Sequence, residues 1–447
     1  MVFRASGFFL CFHTYGIMET NVMRNTLLVL PLLLLFSPMF AAQNAGDAVT
    51  TAYTSSTTQM LTVTPGGVVT TVLSRAGTAL PDGLAVAPAN QGAIWAETIQ
   101  SPRSIDILQL GGGGVVTTLA PLPTTFTRVP TLLVEQSGDI LILNSSGTDR
   151  GVFRMPARGG AISTVAHNST NANFTAPFAM EEDLITGDII VLDLMNSFHR
   201  IDRAGKVTTL KYTLPPSSSL APSANVHADV LTGMMYITYA NYLFGFDPSN
   251  GATTTIIQSS TTNRTIFYGI DSDPYGGGYF LPVYNVSPAP TGRFLMRFDP
   301  VKRILTTVAT LSTATVTLGD VISWESRMLG GMTRPIWGQD YSIFLSAPPE
   351  ASQSYMAAAA LGFQLGIPVG NNRRIPLDPD PLFYLSIQAP AVFVNFQGIL
   401  DAKGSTTLTV KIPPFPQLAG LRFFLAAVTY DQGGIRIITE PLGVTIE

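Results

Sequence analysis

The chain has 447 residues, enough for two or three domains of ordinary size. Charged residues make up 12 % and the net charge is −4 without a long basic run, which excludes nucleic-acid binding through clustered Lys and Arg. Hydrophobic residues make up 46 %, but they occur in short bursts among Thr, Ser, Gly and Pro, which favours many strands and turns over long helices.

The first predicted element is an export signal within residues 1–45. Residues 27–36 form the apolar run "LLVLPLLLLF", which follows Arg24 and precedes the small residues of "FAAQNAG"; this order is typical of a secretory signal peptide. The run is too short to span a membrane, so we expect no stable membrane insertion and a secreted, periplasmic or cell-surface protein. The stretch before Met23 has no recognisable role and is consistent with an over-long gene start.

Cysteine usage restricts the chemistry of the mature chain. Cys11 is the only cysteine, and it precedes the apolar run. No thiol remains after the expected cleavage, which excludes disulfides, cysteine-based zinc sites and cysteine catalysis.

A short phrase then recurs along the chain. "GGVVTT" occurs at residues 66–71 and again at 113–118, and looser copies read "GGAISTV", "GKVTTL", "GATTTII" and "RILTTV". Their Thr-Thr or Ser-Thr pairs begin at positions 70, 117, 163, 208, 254 and 306. A period in the forties that is built of short strands predicts the blades of a β-propeller.

Each period contains enough strand-like segments for one blade of four strands. Strands that open at a turn glycine are predicted at residues 138–144, 187–193 and 233–239, each with further strands before and after it. The last period ends with three runs, "GDVISWE", "SRMLGGM" and "YSIFLSA", and lacks a fourth. Pairing these runs with N-terminal "GGVVTTVL" closes the ring, so the sequence predicts a six-bladed β-propeller over residues 60–349, with seven blades as the alternative.

One repeat also resembles a known family. The segment "GDIIVLDLMNSFHRIDRAGKVTTL" at 187–210 is similar to the NHL-type repeat of propellers in the TolB-like superfamily. The likeness extends loosely over residues 60–350, where Asn144, for example, stands in the place of Asp193. It implies the architecture more firmly than an activity, because propellers of this kind include scaffolds, streptogramin-lyase-like enzymes and metal-dependent gluconolactonases.

The period stops near residue 352, and residues 352–447 are predicted to form a separate β-sandwich. Five strand-like runs support it: "FYLSIQA", "VFVNFQGILD", "TTLTVKIP", "LRFFLAAVTY" and "GIRIITEPLGVTIE". The segment "LDAKG" is predicted to be a hairpin turn. The motifs "RRIPLDPDPL" and "GILDAKGSTTLTVKIPP" resemble a C-terminal module of uncharacterised secreted bacterial proteins, which implies secretion and carries no known chemistry.

Candidate ligands are predicted at the starts of the innermost strands, around the channel mouth. The repeat alignment places six residues there: Asp82, Arg128, Phe178, His227, Tyr268 and Asp320. Of these, Asp82, His227 and Asp320 offer oxygen and nitrogen ligands for a divalent cation. The plainer interpretation, which the sequence favours, is that these polar groups are hydrated or cap turns, because no spacing shows three ligands converging.

Acidic residues also recur at the far ends of the innermost strands, where they are interpreted as turn formers. They are Glu135, Glu181, Glu182, Asp183, Asp229, Asp271, Asp273 and Glu325. His199 falls in a third strand and is predicted to lie at the surface, and His167 falls in a loop.

Two classes of function compete. The sequence has no G-x-S-x-G, H-E-x-x-H or P-loop motif. The favoured interpretation is therefore a secreted, non-catalytic binding or scaffold protein, without a cofactor, that contacts an extracellular protein or carbohydrate. The alternative is a metal-dependent hydrolase or lyase of the gluconolactonase or streptogramin-lyase type, in which Asp82, His227 and Asp320 hold a divalent cation at the channel mouth.

Overall fold

The computed structural model describes residues 48–53, 57–64, 66–76, 80–86, 93–100, 103–110, 116–135, 138–156, 159–169, 174–194, 197–212, 224–229, 234–259, 265–273, 278–285, 292–300, 302–312, 317–323, 328–347, 350–370 and 373–447. The chain divides into two units, Met1–Met39 and Phe40–Glu447, and every described residue belongs to the second. The predicted signal segment, residues 1–45, lies outside the described residues. In the described part of the chain, none of the helices has the length and apolar character that crossing a membrane requires.

Strands dominate the described residues and form antiparallel sheets, most of them four-stranded. The first three strands are β1 (Ala48–Tyr53), β2 (Thr57–Val63) and β3 (Val69–Ala76). Four sheets of consecutive strands follow: β4 (Leu80–Val86), β5 (Ala93–Gln100), β6 (Arg103–Leu110) and β7 (Val116–Pro121); β8 (Thr131–Val134), β9 (Ile140–Asn144), β10 (Gly151–Met155) and β11 (Ser163–His167); β12 (Pro177–Glu182), β13 (Ile189–Asp193), β14 (Ser197–Ile201) and β15 (Val207–Lys211); β16 (Ala224–Ala228), β17 (Met235–Tyr239), β18 (Tyr242–Phe246) and β19 (Thr253–Gln258).

The next sheet has its innermost strand in two pieces. It contains β20 (Thr265–Phe267), β21 (Asp271–Asp273), β22 (Gly278–Asn285), β23 (Gly292–Asp299) and β24 (Ile304–Ser312), and both β20 and β21 pair with β22. The strands β9, β13 and β17 confirm the predicted strands that open at a turn glycine, and β3, β7, β11, β15, β19 and β24 confirm the predicted Thr-Thr or Ser-Thr strands.

The sheets share their hydrophobic cores in series. Each consecutive pair, from the sheet of β1 to the sheet of β24, encloses a cluster of buried apolar side chains. A further cluster, which contains Ala48, Val63, Phe280 and Leu295, joins the last sheet of the series to the first. Because the series returns to its start, the arrangement is propeller-like, and the prediction of an all-β, propeller-like fold is confirmed.

The turn glycines of the repeat explain the recurring phrase. Gly159 and Gly67, which precede Thr-Thr or Ser-Thr strands, have φ of 78° and 82°, a conformation that costs glycine little. A Cβ on Gly159 would lie 2.1 Å from the Leu119 carbonyl oxygen, and a Cβ on Gly67 would lie 2.3 Å from that of Val308. Each glycine therefore lets its turn approach the outer strand of the preceding sheet.

The polar residue that ends the second strand of two repeats has a structural role. The Asp193 carboxylate accepts hydrogen bonds from the backbone N–H groups of Thr175 and Ala176, which precede β12. Asn144 does the same in its own sheet, since its side-chain oxygen accepts from the Thr127 N–H. These contacts tie the loop before each innermost strand to the second strand.

The sheet that completes the series differs from its predicted composition. β25 (Thr317–Ser323) pairs with β1, and Thr50 lies opposite Val321. The N-terminal region thus supplies three strands and the end of the repeats supplies one, whereas the sequence predicted the reverse. Residues 48–63 lie mostly before the predicted start at residue 60, yet they are rich in buried Thr and Val, which suits strand pairing.

The two runs assigned to that sheet belong elsewhere. "SRMLGGM" and "YSIFLSA" contain β26 (Leu329–Gly331) and β27 (Asp340–Ser346), which join a C-terminal sheet through the pairing of β27 with β33 (Ser405–Lys411). The C-terminal region therefore begins near residue 328, earlier than the predicted boundaries of 349 and 352.

The remaining C-terminal elements form two further sheets and one helix. In chain order they are β28 (Ser354–Ala360), β29 (Ile367–Gly370), β30 (Arg373–Ile375), α1 (Pro381–Gln388), β31 (Phe393–Val394) and β32 (Gln397–Ile399), followed after β33 by β34 (Arg422–Asp431), β35 (Gly434–Ile438) and β36 (Leu442–Thr445). One sheet has the order β26-β27-β33-β31 and another β32-β28-β34-β35, with β36 also on β34. A single hydrophobic cluster contains side chains of both.

Two local predictions in this region are wrong. "FYLSIQA" was expected to be a strand, but it lies in α1, because Asp380 caps the helix by accepting from the Phe383 N–H and Pro381 occupies the first turn. "LDAKG" forms a tight turn in which the Asp401 carboxylate accepts from Lys403 and Ser405. It is no hairpin, since the flanking β32 and β33 belong to different sheets.

Candidate metal centre

Three polar side chains occupy equivalent positions on consecutive innermost strands. Glu181 lies in β12 opposite Ile190, His227 lies in β16 opposite Tyr236, and Asp271 begins β21 opposite Phe280. In each repeat the residue stands two positions before an aspartate, as "EED", "HAD" and "DSD" show. The repeat therefore brings these three side chains together near one end of the innermost strands.

Their side chains surround the His227 imidazole. Nδ1 of His227 is 3.2 Å from Asp271 Oδ1 and 4.0 Å from Glu181 Oε2. On the other side of the ring, Nε2 is 3.8 Å from Glu440 Oε1. The four side chains are only 8–19 % exposed, so the charges lie in a largely covered environment where they interact strongly.

Glu440 comes from the C-terminal region rather than from a repeat. It lies between β35 and β36, which both pair with β34. Pro441, which has no N–H to donate to a sheet, follows Glu440 at this break. Thr439 holds the break in place, since its N–H donates to the Ala427 carbonyl and its hydroxyl accepts from the Ala427 N–H.

The arrangement has the composition of a cation site. Among the described residues, His227, Asp271 and Glu440 can each offer one ligand atom, and these atoms lie within 4.8 Å of one another. Imidazole nitrogen and carboxylate oxygen suit several divalent cations. Glu181 adds a third carboxylate beside these ligand atoms.

Two tyrosines lie beside the cluster, Tyr279 buried and Tyr236 half-buried. The Tyr279 hydroxyl donates to Asp229 Oδ1 at 2.6 Å, and its ring stands edge-on to His227 with centroids 5.7 Å apart. Burial raises the pKa of Tyr279 well above its usual value, and the Asp229 charge raises it further. The Tyr236 ring packs 4.8 Å from that of Tyr279. The Tyr279 ring therefore covers one side of His227, and Tyr236 packs behind it.

Arg422 of β34 anchors the C-terminal region beside the cluster. Its Nη2 donates to Glu182 Oε1 at 3.0 Å and to the Leu184 carbonyl at 3.0 Å, and its Nε donates to the same carbonyl at 3.2 Å. Glu182 directly follows Glu181 in β12. The guanidinium thus binds the strand that carries one carboxylate of the cluster and belongs to the sheet that carries another, Glu440.

Of the predicted cation ligands, the structure places His227 in the cluster. Asp82 lies in β4 opposite Ala96 and Asp320 lies in β25, but their side chains are outside the described residues. Their role as ligands stays a prediction.

The other predicted mouth residues have separate environments. Arg128 is exposed between β7 and β8, and its carbonyl accepts from the Ser145 N–H. Phe178 is buried in the core between two sheets. Tyr268 is half-buried and packs against a small cluster, and its N–H donates to the Pro282 carbonyl.

The acidic residues interpreted as turn formers have several environments. Glu135, Glu182 and Asp229 accept hydrogen bonds from Arg154, Arg422 and Tyr279, respectively. Glu325 and the side chain of Asp273 lie outside the described residues. Asp183 is a turn former, because its carboxylate accepts from the Ile185 N–H and the Thr186 hydroxyl. Glu181 and Asp271 lie within strands and face His227 instead. The sequence alignment missed this because it paired His227 with Phe178 and Tyr268, about three residues out of register with the repeat.

The two other histidines that the sequence singled out are structural. His199 was predicted at the surface, but it is fully buried: its Nδ1 lies 2.9 Å from the Thr209 hydroxyl and its ring stands edge-on to Phe174. Its strand faces the core between two sheets, and so does its side chain. His167 was predicted in a loop, but it is the last residue of β11 and pairs with Gly151 of β10; its Nδ1 contacts the hydroxyl and the N–H of Ser169.

Comparison with known proteins gives structural likenesses only. No family model and no curated protein matches the sequence. Similar solved structures include a protein from Lactobacillus plantarum (15 % identity, TM-score 0.41, covering 62 % of this chain and 85 % of that one). Two others are a "putative 6-phosphogluconolactonase" from Bacteroides fragilis (11 %, TM-score 0.37, covering 63 % and 99 %) and a calcium-binding protein, regucalcin, from Agrobacterium tumefaciens (14 %, TM-score 0.34, covering 60 % and 81 %).

The prediction of a non-catalytic binding or scaffold protein is corrected by the site itself. The chain brings three candidate cation ligands together, and their side chains are mostly covered. This arrangement favours the alternative from the sequence, a metal-dependent enzyme. At such low identities and TM-scores, the activities of those proteins remain theirs, and the case for this chain rests on its own residues.

Proposed function

We propose that this protein is a metal-dependent hydrolase or lyase whose divalent cation is held by His227, Asp271 and Glu440. The observation that carries the proposal is the convergence of these three ligand atoms within 4.8 Å. Two of the ligands come from equivalent positions of consecutive repeats and the third comes from the C-terminal region.

The charge of the cluster supports a bound cation. Glu181, Asp271 and Glu440 place three carboxylates around one imidazole, and all four side chains are mostly covered. Like charges in a covered site repel one another strongly and lack the hydration that would stabilise them. A divalent cation offsets this repulsion, and its binding free energy stabilises the fold in this region.

The same residues can support chemistry. A bound divalent cation polarises a substrate carbonyl or lowers the pKa of a water molecule. Glu181 is suited to accept a proton from such a water, because its Oε1 accepts from the Glu182 N–H while its Oε2 faces His227. Tyr279 covers one side of the site, and a covered site strengthens the electrostatic interactions within it.

We also propose a specific architecture for the two regions of the chain. The six sheets from β1 to β25 act as the blades of a six-bladed propeller of the NHL or TolB-like kind, and the two C-terminal sheets with a shared core form a β-sandwich. Sheet order and the series of hydrophobic clusters support both parts. The signal-like segment of residues 1–45 supports export to the periplasm or the outside of the cell.

The first experiment measures cation binding by a chain that begins at residue 46. Elemental analysis and titration calorimetry with Ca²⁺, Mg²⁺, Mn²⁺ and Zn²⁺ should find one bound cation per chain. His227→Gln and Asp271→Asn should lose it, whereas Asp340→Asn, which changes an exposed carboxylate of β27, should retain it. A wild-type chain that binds none of the four cations would refute the proposal.

The second experiment tests catalysis. The cation-loaded protein is assayed in a pH-stat against lactones and neutral esters, whose carbonyl groups a cation-activated water attacks. Acid release should stop on addition of EDTA and return with the cation. It should also fall at least about hundredfold in Glu181→Gln, the range that general-base catalysis contributes, while cation binding persists. Hydrolysis that is insensitive to EDTA and to these variants would assign the activity to another site.

A further inference from the structure

The C-terminal region contributes more to the cluster than the Glu440 ligand. Glu440 lies two residues before the first residue of β36, and β36 pairs with β34 so that Arg422 stands opposite Thr445. The position of Glu440 is therefore fixed by the same strands that carry Arg422. Across the interface, the guanidinium contacts Glu182 and Leu184, which follow Glu181.

Two glycines provide the space that Arg422 occupies. A Cβ on Gly187, at the turn after β12, would lie 2.3 Å from Nη1 of Arg422, and a Cβ on Gly443, in β36, would lie 2.4 Å from Nη2. One glycine thus belongs to the repeat and the other to the C-terminal sheet. The guanidinium is 11 % exposed and its partner Glu182 is 15 % exposed, so the contact is a buried, charge-assisted one with a specific socket.

We propose that Arg422 is a positioning residue for the cation site, and that it couples docking of the C-terminal sheet to cation binding. This inference rests on the proposed function. When Arg422 holds β34 and β36 against β12, Glu440 is presented to His227 and Asp271 at no further conformational cost. Without that contact, part of the cation binding free energy is used to dock the sheet. By thermodynamic reciprocity, the cation in turn tightens the docking.

Arg436 offers a matched control within the same region. Its Nε donates to Glu350 Oε2 at 2.6 Å and its Nη2 donates to Glu350 Oε1 at 3.2 Å. Arg436 is more exposed than Arg422 and also pairs with Asp431, but Arg436→Gln likewise removes an arginine–carboxylate contact, one that lies within the C-terminal region. A loss of stability that is merely structural would follow from either arginine. A loss of cation affinity should follow only from Arg422.

The test compares cation affinity in four variants of the folded chain by titration calorimetry with the cation that binds the wild-type protein. Arg422→Gln should raise Kd about tenfold or more, and Arg422→Lys, which keeps the charge but not the fork of donors, should fall between it and the wild type. Gly443→Ala keeps the arginine but fills the space that its guanidinium occupies, and it should also raise Kd. Arg436→Gln should bind as the wild type does.

Hydrogen exchange supplies the reciprocal measurement. Adding the cation should slow amide exchange in β36 and in residues 182–187 of the wild-type protein, and this effect should be lost in Glu440→Gln. Wild-type affinity in both Arg422→Gln and Gly443→Ala would overturn the positioning role while leaving the cation site intact. Equal loss in Arg436→Gln would also overturn it, because the effect would then be structural. Absence of any bound cation in the wild type would refute the proposed function and this inference together.

Discussion

Replacing Asp271 by Asn changes the charge of the proposed cation site and almost nothing of its shape. The wild-type chain at a cation concentration of about 100 times Kd gains about 2.7 kcal/mol of stability. Unfolding entropy is about 2.1 cal/mol/K per residue, so over roughly 400 residues this gain raises Tm by about 3 °C. Losing a residue that only orients a metal ligand lowers cation affinity about 10–100-fold. Losing the charge of a ligand itself should therefore lower cation affinity at least about 100-fold.

The Asp271→Asn variant should consequently gain only about 0.4 kcal/mol at the same cation concentration, a shift in Tm of about 0.5 °C or less. Without the cation, the wild type should lose its advantage in unfolding temperature over the variant. The variant removes one of three carboxylates whose atoms lie close together around His227, which relieves repulsion in a covered site. In EDTA at pH 8 it should unfold at the same temperature as the wild type or above it.

Differential scanning calorimetry of both proteins, with EDTA and with cation, measures all four values. The decisive quantity is the difference between the two cation-induced shifts, because it is unaffected by any general change in stability. Equal shifts in the two proteins would refute the assignment of Asp271 as a ligand. A variant that is clearly less stable than the wild type in EDTA would show that the carboxylates do not repel one another in the empty site.

Three further predictions concern Tyr279, the N-terminal strands and the signal segment. Because the pKa of Tyr279 is raised in the folded state, its contribution to stability is complete below the unfolded pKa of about 10 and is lost as pH rises above it. Tyr279→Phe should therefore reduce the alkaline loss of stability that urea unfolding measures between pH 8 and pH 10.5. An unchanged pH dependence would contradict this prediction. The same variant leaves buried Asp229 without this donor and should cost about 1–3 kcal/mol at pH 8. A chain that begins at residue 65 lacks β1 and β2 and should fail to give a folded monomer by circular dichroism and size exclusion, whereas closure by a single N-terminal strand would let it fold. Exported protein should begin between Ala42 and Gly46, and mass spectrometry that finds residues 27–36 in the mature chain would show that the signal is not removed.

The repeats were predictable because they are set by local chemistry. A turn that needs positive φ selects glycine, as at Gly67 and Gly159, and an outer strand half exposed to water selects Thr. These requirements recur in every sheet and so become visible as a period. The helix α1 was not predicted, although the sequence contains its N-cap Asp380 and Pro381 in its first turn, because the apolar run that follows them suits a strand equally well.

The site was only half visible in the sequence. His227 was identified, and Glu181 and Asp271 were noticed but interpreted as turn residues. Their correct alignment depends on register, which strand pairing fixes and a count of residues does not. Glu440 carried one local signal, the proline that follows it in an otherwise strand-like run. Nothing in the sequence connects that break with a repeat more than two hundred residues earlier, because the contact depends on how the C-terminal sheet docks.

The pairing of β1 with β25 has a consequence for how the chain acquires its structure. Thr50 finds its partner Val321 only after nearly all of the repeats have emerged from the ribosome. Contacts so distant in sequence close slowly, because the intervening loop must first lose its entropy. Until then the first three strands expose an unpaired edge that could pair wrongly with other chains. If the chain is exported as we propose, it benefits from this delay, because the first sheet cannot be completed until the strands of all the repeats have crossed the membrane.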